Sequence, residues 1–411
     1  MHNTPIVTKC CVVGGGPAGM MLGFLLARAG VAVTLLEKHA DFLRDFRGDT
    51  VHPSTLELMH ELGLIADFLA LPHRKVDHFS VQVGARRLRI VDFDHLTTHC
   101  KYMALMPQWD FLNFIAEQGK RYHSFDLHMS TEATELIEEA GRVVGVHART
   151  PKGQLSVRAD LVVACDGRHS TLRGQSGLRC REYGAPMDVL WFRLTRRNSD
   201  LADTFGHIGA GAALVMLDRG EYWQCAYLIP KDGFDEVRAR GIEALRDQVL
   251  ALSPFLSDRI GELKSFDDVR LLAVAVNRLE QWWRPGLLCI GDAAHAMSPI
   301  GGVGINIAVQ DAVATANRLA APLEADRLTL GDLRAIQQRR ALPARMTQGI
   351  QIAMQNRVIR PVLRTVGEPR APLPFRLLDA FPALRRIPAR LLAVGIRPEH
   401  VRTPDVLAGS R

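Results

Sequence analysis

The stretch KCCVVGGGPAGMMLGFLLARAGVAVTLLE, residues 9–37, is compatible with very few folds. A short β-branched apolar run precedes Gly14, glycines follow at 16 and 19, and Pro17 suits an early helical position. Gly30 ends the helix, and VAVTLLE reads as a second buried strand. A strand, a helix and a strand in so short a span form a crossover, which sets two strands parallel in a covered sheet. Gly14 permits the tight turn, Gly16 admits a pyrophosphate to the backbone, and Gly19 lets helix and strand pack closely. Glu37 ends the second strand, where a carboxylate binds a ribose diol and disfavours a 2′-phosphate. A dinucleotide site is expected.

Two further motifs stand where strands end. LVVACDG leads into DGRHSTLR (166–173), and LLCIGD (287–292) runs into GDAAHAMSPIGGVGIN (291–306), which opens an apolar helical pattern. Glycines at a helix mouth let backbone N–H groups approach a partner, and a helix start favours negative charge. The occupant of this second mouth should carry an anion or an acceptor.

Between these motifs the pattern changes. Residues 74–95 alternate around a G-A-R-R turn, and 185–230 are again strand-rich, in the manner of antiparallel hairpins. Residues 50–64 and 108–120 read as helices, and 234–253 as one amphipathic helix. The fold class is therefore α/β, a Rossmann-like dinucleotide domain with a parallel sheet, interrupted by a mostly antiparallel substrate domain. The first domain is assigned to 1–73, 102–179 and 281–350, and the second to 74–101 and 180–280. Residues 351–411 form an Arg/Pro-rich C-terminal segment.

The 411 residues, 47% hydrophobic and 23% charged, suit about two domains. No apolar run reaches the roughly 18 residues that cross a bilayer, and the first ten residues lack an export pattern. Seven cysteines show no C-x-x-C pair and no metal-ligand spacing, so a cytoplasmic protein without a metal site is expected. From Arg357 to Arg411 there are eleven arginines, no lysine and four acids, which equals the whole formal charge of +7. No nucleic-acid motif or interleaved aromatics accompany that charge, so nucleic acid is not an expected partner. The tail is expected to cap the substrate domain, with its leucines buried and its arginines wet. A weak contact with an anionic surface is the alternative.

Asp166-Gly167, Ser170 and Arg173 fit D-G-x-x-S-x-x-R, and 291–306 fits G-D-A-A-H-x-x-x-P-x-x-G-x-G-x-N. With the first fingerprint, and in this order, the motifs resemble the single-component FAD-dependent aromatic hydroxylases of the para-hydroxybenzoate hydroxylase type. The resemblance runs from about Cys10 to the helix near 320. It implies FAD as cofactor, NAD(P)H as transient co-substrate, and hydroxylation of a small aromatic substrate with O2 through a flavin C4a-hydroperoxide. It also implies that Gly14, Gly16, Pro17, Ala18, Gly19, Glu37 and Lys38 hold the ADP half, and that Asp292 reaches the ribityl or pyrophosphate region. Pro299, Gly302, Gly304, Ile305 and Asn306 would wrap the isoalloxazine edge. Arg47 and Gln108 match flavin-contacting positions, while Asp166 and Arg173 match a region shared by FAD and NAD(P)H. No second G-x-G-x-x-G is present, in keeping with a reductant that docks transiently.

The residues leave the catalytic base open. His52 and His207 are candidates because histidine titrates near neutrality, whereas His295 reads as a structural member of its motif. Trp191, Tyr222, Trp223 and Tyr227 either line an aromatic pocket or pack a core. An FAD reductase or dehydrogenase and a non-catalytic flavin-bearing partner are the rival readings. A halogenase is disfavoured because W-x-W-x-I-P is missing. A monomer or homodimer is expected.

Overall fold

The computed structural model describes residues 4–43, 50–200, 205–367 and 369–408. Among them, the strand Ile6–Val13 lies at the centre of a parallel array. Val33–Leu36 flanks it on one side and Gly153–Ala164 on the other. Phe125–His128 and Leu287–Cys289 extend the array in the same direction. Strands Glu132–Glu139 and Arg142–Thr150 add an antiparallel hairpin to the edge of Gly153–Ala164.

The helix Pro17–Arg28 explains the run MMLGFLLA. Ala18 to Ala27 are all buried, because the sheet covers one side while helices Gln108–Gly119 and Gly304–Glu324 cover the others. A helix enclosed on every side has no polar face. Gly23 lies where a Cβ would stand 3.0 Å from the Phe125 ring and 3.1 Å from Leu35, so its absence allows this close seating. Among the described residues no helix is long and apolar enough to cross a membrane.

A second sheet runs in the order Arg270–Leu272, Met187–Thr195, Tyr222–Pro230, Ala212–Asp218, Phe205–Gly209, His78–Val83 and Arg86–Asp92. Its pairs are antiparallel except where Phe205–Gly209 lies parallel to His78–Val83. Alternation gives it two faces. Leu190, Phe192, Leu194, Trp223, Cys225 and Tyr227 face helices Phe234–Ala239 and Gly241–Leu252. Met187, Ala213 and Leu228 face Ile300 and the C-terminal segment.

Two local expectations need correction, and a third element is now located. Residues 234–253 form two helices, because Gly241 takes φ +85° and breaks the run. Arg74–Val76 pairs with Met103–Leu105, which also pairs Thr50–Val51, so it joins a small linking sheet and not the larger antiparallel one. The helix that the 291–306 motif opens starts at Gly304, after a turn in which Gly301 and Gly302 have φ +78° and +62°.

The tail packs against the second sheet as a cap, but not chiefly through its leucines. Val358, Val362 and Phe375 fill the space beneath the second sheet, and Ala389 and Ala393 sit fully buried beside Val91 and Phe93. Leu373 and Leu377 point outward, 63% and 42% exposed. Ala389 and Ala393 permit close approach of their helix to the strand Arg86–Asp92, which turns Ile387 and Leu391 to the opposite side. The last residues return to the first domain, where Arg28 Nη1 donates to Thr403 O (2.6 Å) and Val406 N donates to Arg28 O (3.0 Å).

Candidate functional site

Four loops gather at the carboxyl ends of the parallel strands, where ligands bind in open α/β sheets. They are stitched together by Gly14 N to Leu36 O (2.8 Å), Cys165 N to Val13 O (2.7 Å) and Ile290 N to Ala164 O (3.1 Å).

The fingerprint glycines answer to different constraints. Gly14 has φ +104°, and a Cβ there would lie 2.5 Å from Cys165 O. At Gly19 it would lie 1.9 Å from Gly14 O. The protein itself demands both. Gly16 has φ −77°, open to any residue, and nothing lies within 4 Å of its missing Cβ. The protein itself does not demand glycine at 16, and its absent side chain leaves that space open to a ligand. No side chain caps Pro17–Arg28, and the Ala18 and Gly19 N–H groups precede Met20 N, which donates to Gly16 O (2.9 Å). These donors and the positive helix end suit a pyrophosphate.

Glu37 is buried beside this turn. Its Oε2 accepts from Gly15 N (2.8 Å) and its Oε1 from His39 N (3.0 Å), which orients the carboxylate at the end of its strand. Lys38, next to it, is exposed. Asp166 Oδ2 accepts from Leu172 N (3.3 Å), while its buried Oδ1 has no hydrogen-bond partner. Burial pushes this carboxyl above its usual range. An unpaired buried oxygen at the glycine turn fits a site completed by a cofactor.

Arg173 acts within the protein. Its guanidinium donates to Arg168 O (2.6 Å) and Ala293 O (3.2 Å), tying the 166–173 loop to the turn that carries Asp292. Asp292 keeps a 30%-exposed side chain, 3.5 Å from Arg168 Nη2.

The second helix mouth repeats the test. Gly304 opens Gly304–Glu324 with no side-chain cap and nothing within 4 Å of its missing Cβ. At Gly302 a Cβ would lie 2.3 Å from Thr50 Oγ1, so the protein itself requires that glycine. Asn306 is a brace: its Oδ1 accepts from His52 N (2.9 Å) and Thr55 Oγ1 (2.7 Å), and its Nδ2 donates to Thr50 O (3.2 Å). Ile305 lies in the core, and Pro299 is half-buried before the turn. The pairing of Thr50 with Leu105 brings the half-buried Gln108, at its helix start, to this side of the molecule. Arg47 lies outside the described residues.

The comparisons agree with this geometry. The profile of a family described as FAD binding domain matches residues 7–349. The 6-methylpretetramide 4-monooxygenase of Streptomyces rimosus is 32% identical over 398 residues, 96% of this chain and 94% of that protein. The chain belongs to the FAD-dependent aromatic monooxygenases. The solved p-nitrophenol 4-monooxygenase of Pseudomonas putida DLL-E4 shares the fold, with a TM-score of 0.74 at 22% identity over 94% of this chain and 97% of that one. A flavin-dependent brominase does so too, with a TM-score of 0.76 at 16% identity over 98% of each chain. The two-domain fold is thus common to more than one flavin chemistry.

In this monooxygenase His295 is structural. Its Nε2 lies 2.6 Å from Asp311 Oδ2, Arg340 Nε donates to Asp311 Oδ1 (2.8 Å), and Gly291 N donates to Asp311 Oδ2 (3.1 Å). Burial pushes Asp311 up, but His295 and Arg340 together hold its carboxyl below the usual range. Arg340 was invisible in the sequence. It sits on helix Leu330–Met354 among other arginines, with no motif to mark it.

The two base candidates separate. His207 lies on the face of the second sheet turned toward Gly241–Leu252, its Nδ1 2.7 Å from Leu252 O. Its neighbour Ile208 is the residue that joins the cluster containing Ile300. Strand alternation therefore turns His207 away from the face that meets Ile300. His52 is fully buried beside the turn at Gly301 and Gly302. Its Nδ1 lies 2.7 Å from Leu392 O, while Nε2 makes no hydrogen bond of normal geometry and faces Gly301 and Gly302.

Burial lowers each ring to about 4, so neither is a base of neutral strength. A histidine whose folded pKa lies below its unfolded value stabilises fully above about pH 6.5, and loses that stability as pH falls toward its folded pKa. Stability should therefore decline between pH 6.5 and about 4. The loss expected for His52 is on the order of 3 kcal/mol. Thermal midpoints across that range should fall less steeply in His52→Gln. Parallel curves for variant and native protein would contradict the assignment.

Proposed function

We propose that this monooxygenase uses NAD(P)H and O2 to hydroxylate an electron-rich aromatic substrate between the second helix mouth and the inner face of the antiparallel sheet. The carrying observation is the pair of uncapped helix starts, at Gly16–Ala18 and at Gly304, each with a glycine whose missing Cβ has no protein atom within 4 Å. A dinucleotide alone needs the first. A flavin reaching on to a second helix needs both.

When bound, FAD accepts a hydride from NAD(P)H and activates O2. Gly14, Gly16, Pro17, Ala18 and Gly19 seat the pyrophosphate, Glu37 takes the ribose, and Asp166 and Asp292 hold the ribityl–pyrophosphate stretch. The start of Gly304–Glu324 stabilises negative charge on the reduced ring. The apolar Ile300, Met187, Ala213 and Leu228 keep water out of the reaction space.

Trp191 is the aromatic side chain best placed for substrate. It packs with Val189, Ala226 and Ile352 on the inner face, and its buried Nε1 has no hydrogen-bond partner. Trp223 and Tyr227 belong to the outer core instead. Compounds of the class that the 6-methylpretetramide enzyme acts on are the first to try. All seven cysteines are unpaired thiols, six of them buried, which supports a reducing, cytoplasmic setting.

Denatured protein should release FAD and no FMN. An accepted substrate should stimulate NAD(P)H oxidation and gain one atom of label from isotopically marked O2. Stimulated oxidation that delivers all its oxygen to hydrogen peroxide or water, with an unlabelled product, would favour the reductase reading.

A further inference from the structure

Seven of the sixteen large hydrophobic side chains exposed among the described residues lie between Val366 and Leu391. Six of them lie within nineteen residues: Leu373, Leu377, Phe381, Leu384, Ile387 and Leu391. Leu373 and Leu377 lie four apart on helix Leu373–Ala380, and Ile387 and Leu391 four apart on helix Arg386–Ala393, the spacing that keeps each pair on one face of its helix, while Phe381 and Leu384 lie in the connection between the two helices. Phe375, Ala389 and Ala393 face the other way, into the molecule. The inner side of this element is therefore satisfied by the fold, and the outer side is not.

Its charge selects the occupant. Between Pro369 and Pro398 there are six arginines and one acid, Asp379. Asp379 is turned toward the protein, where its Oδ1 accepts from Arg89 N (3.0 Å) and pairs with Arg385. Arg376, Arg386 and Arg390 are exposed among the apolar residues, and Arg86 is exposed on the adjoining strand. A second copy docked isologously would set these arginines against themselves. An anionic lipid surface complements both features at once, because leucine, isoleucine and phenylalanine enter the headgroup–acyl boundary while arginines stay at headgroup level.

We propose that the helical element 373–391 is a membrane-surface docking site for anionic phospholipid. Each of its two helices has eight residues, too short to span a bilayer, so the element lies in the interface plane. The proposal is independent of the oxygenation chemistry.

The test is flotation of the full-length, FAD-loaded protein with mixed phosphatidylglycerol–phosphatidylcholine vesicles and with pure phosphatidylcholine vesicles. Binding is expected only to the mixed vesicles, and added salt should weaken it. The pair Phe381→Ser and Ile387→Ser should abolish it. The pair Arg386→Gln and Arg390→Gln should weaken it about thirtyfold, by loss of two surface cations. FAD absorbance and melting temperature should stay unchanged in both, since these side chains contribute to neither core nor cofactor site. The proposal is overturned if native protein ignores the mixed vesicles, or if both variants float as well as native protein. It is also overturned if native protein sediments as a dimer that the Phe381/Ile387 pair dissolves, because these apolar side chains then face a second copy.

Discussion

Gly16→Val should yield a folded protein that retains almost no FAD. The backbone at 16 suits an L-residue, and no protein atom lies within 4 Å of a Cβ there, so the apo fold has no reason to weaken. The side chain would instead occupy the space in front of the Ala18 and Gly19 N–H groups. A phosphate held off from those donors loses charge-assisted hydrogen bonds of about 1.5–3 kcal/mol and the helix-end attraction of about 0.3–2 kcal/mol. Their joint loss raises the FAD dissociation constant about a hundredfold. Gly14→Ala is the contrasting variant, because φ +104° and the 2.5 Å approach to Cys165 O put strain into the fold itself. Flavin titration with circular dichroism separates the outcomes. Undiminished FAD affinity in a folded Gly16→Val protein would place the pyrophosphate elsewhere.

Arg340→Ala should cost about 3–5 kcal/mol of stability, the penalty for leaving a buried charge without its partner. Arg340 is 1% exposed and donates to Asp311 Oδ1, and its Nη1 reaches Glu399 Oε1 (3.4 Å) and Arg397 O (3.4 Å). Asp311 would be left with His295 and Gly291 N. Because these contacts hold the turn carrying Asp292, FAD retention should fall with stability. Adding Asp311→Asn to Arg340→Ala removes the stranded charge and should recover part of the loss. The Asp311 carboxyl, depressed in the fold, stabilises fully above its ordinary range and loses that contribution as the solution is acidified below it. Melting temperatures of the single and double variants decide the matter. A single variant that melts with native protein would show that the pair contributes nothing.

Much of this site was legible because its signals are local. Gly14, Gly16 and Gly19 report a strand, a turn and a helix within ten residues, and Glu37 follows at the end of the next strand. The D-G-x-x-S-x-x-R and G-D-A-A-H motifs likewise describe loops whose shape depends mainly on their own residues. His295 reads correctly as structural because its motif places it beside Gly291. His207 stayed an open candidate: its residue type suits a base, but the face it occupies depends on the register of Phe205–Gly209 against Ala212–Asp218. Gly302 and Gly304 look alike in the sequence. Only the approach of Thr50 separates the one that the protein needs from the one that stays open.

The sequence by itself determined the parallel α/β unit, the cofactor class and the excess of cations in the tail, because hydrophobic period, glycine placement and charge are properties of short segments. The tertiary structure decided which of these residues meet. It joined Asp311 to Arg340 across 29 positions and His52 to Leu392 across 340. It also turned Phe375, Ala389 and Ala393 of the tail inward and Leu373, Leu377 and Ile387 outward. Those outcomes depend on how distant segments are packed, which period and composition do not encode.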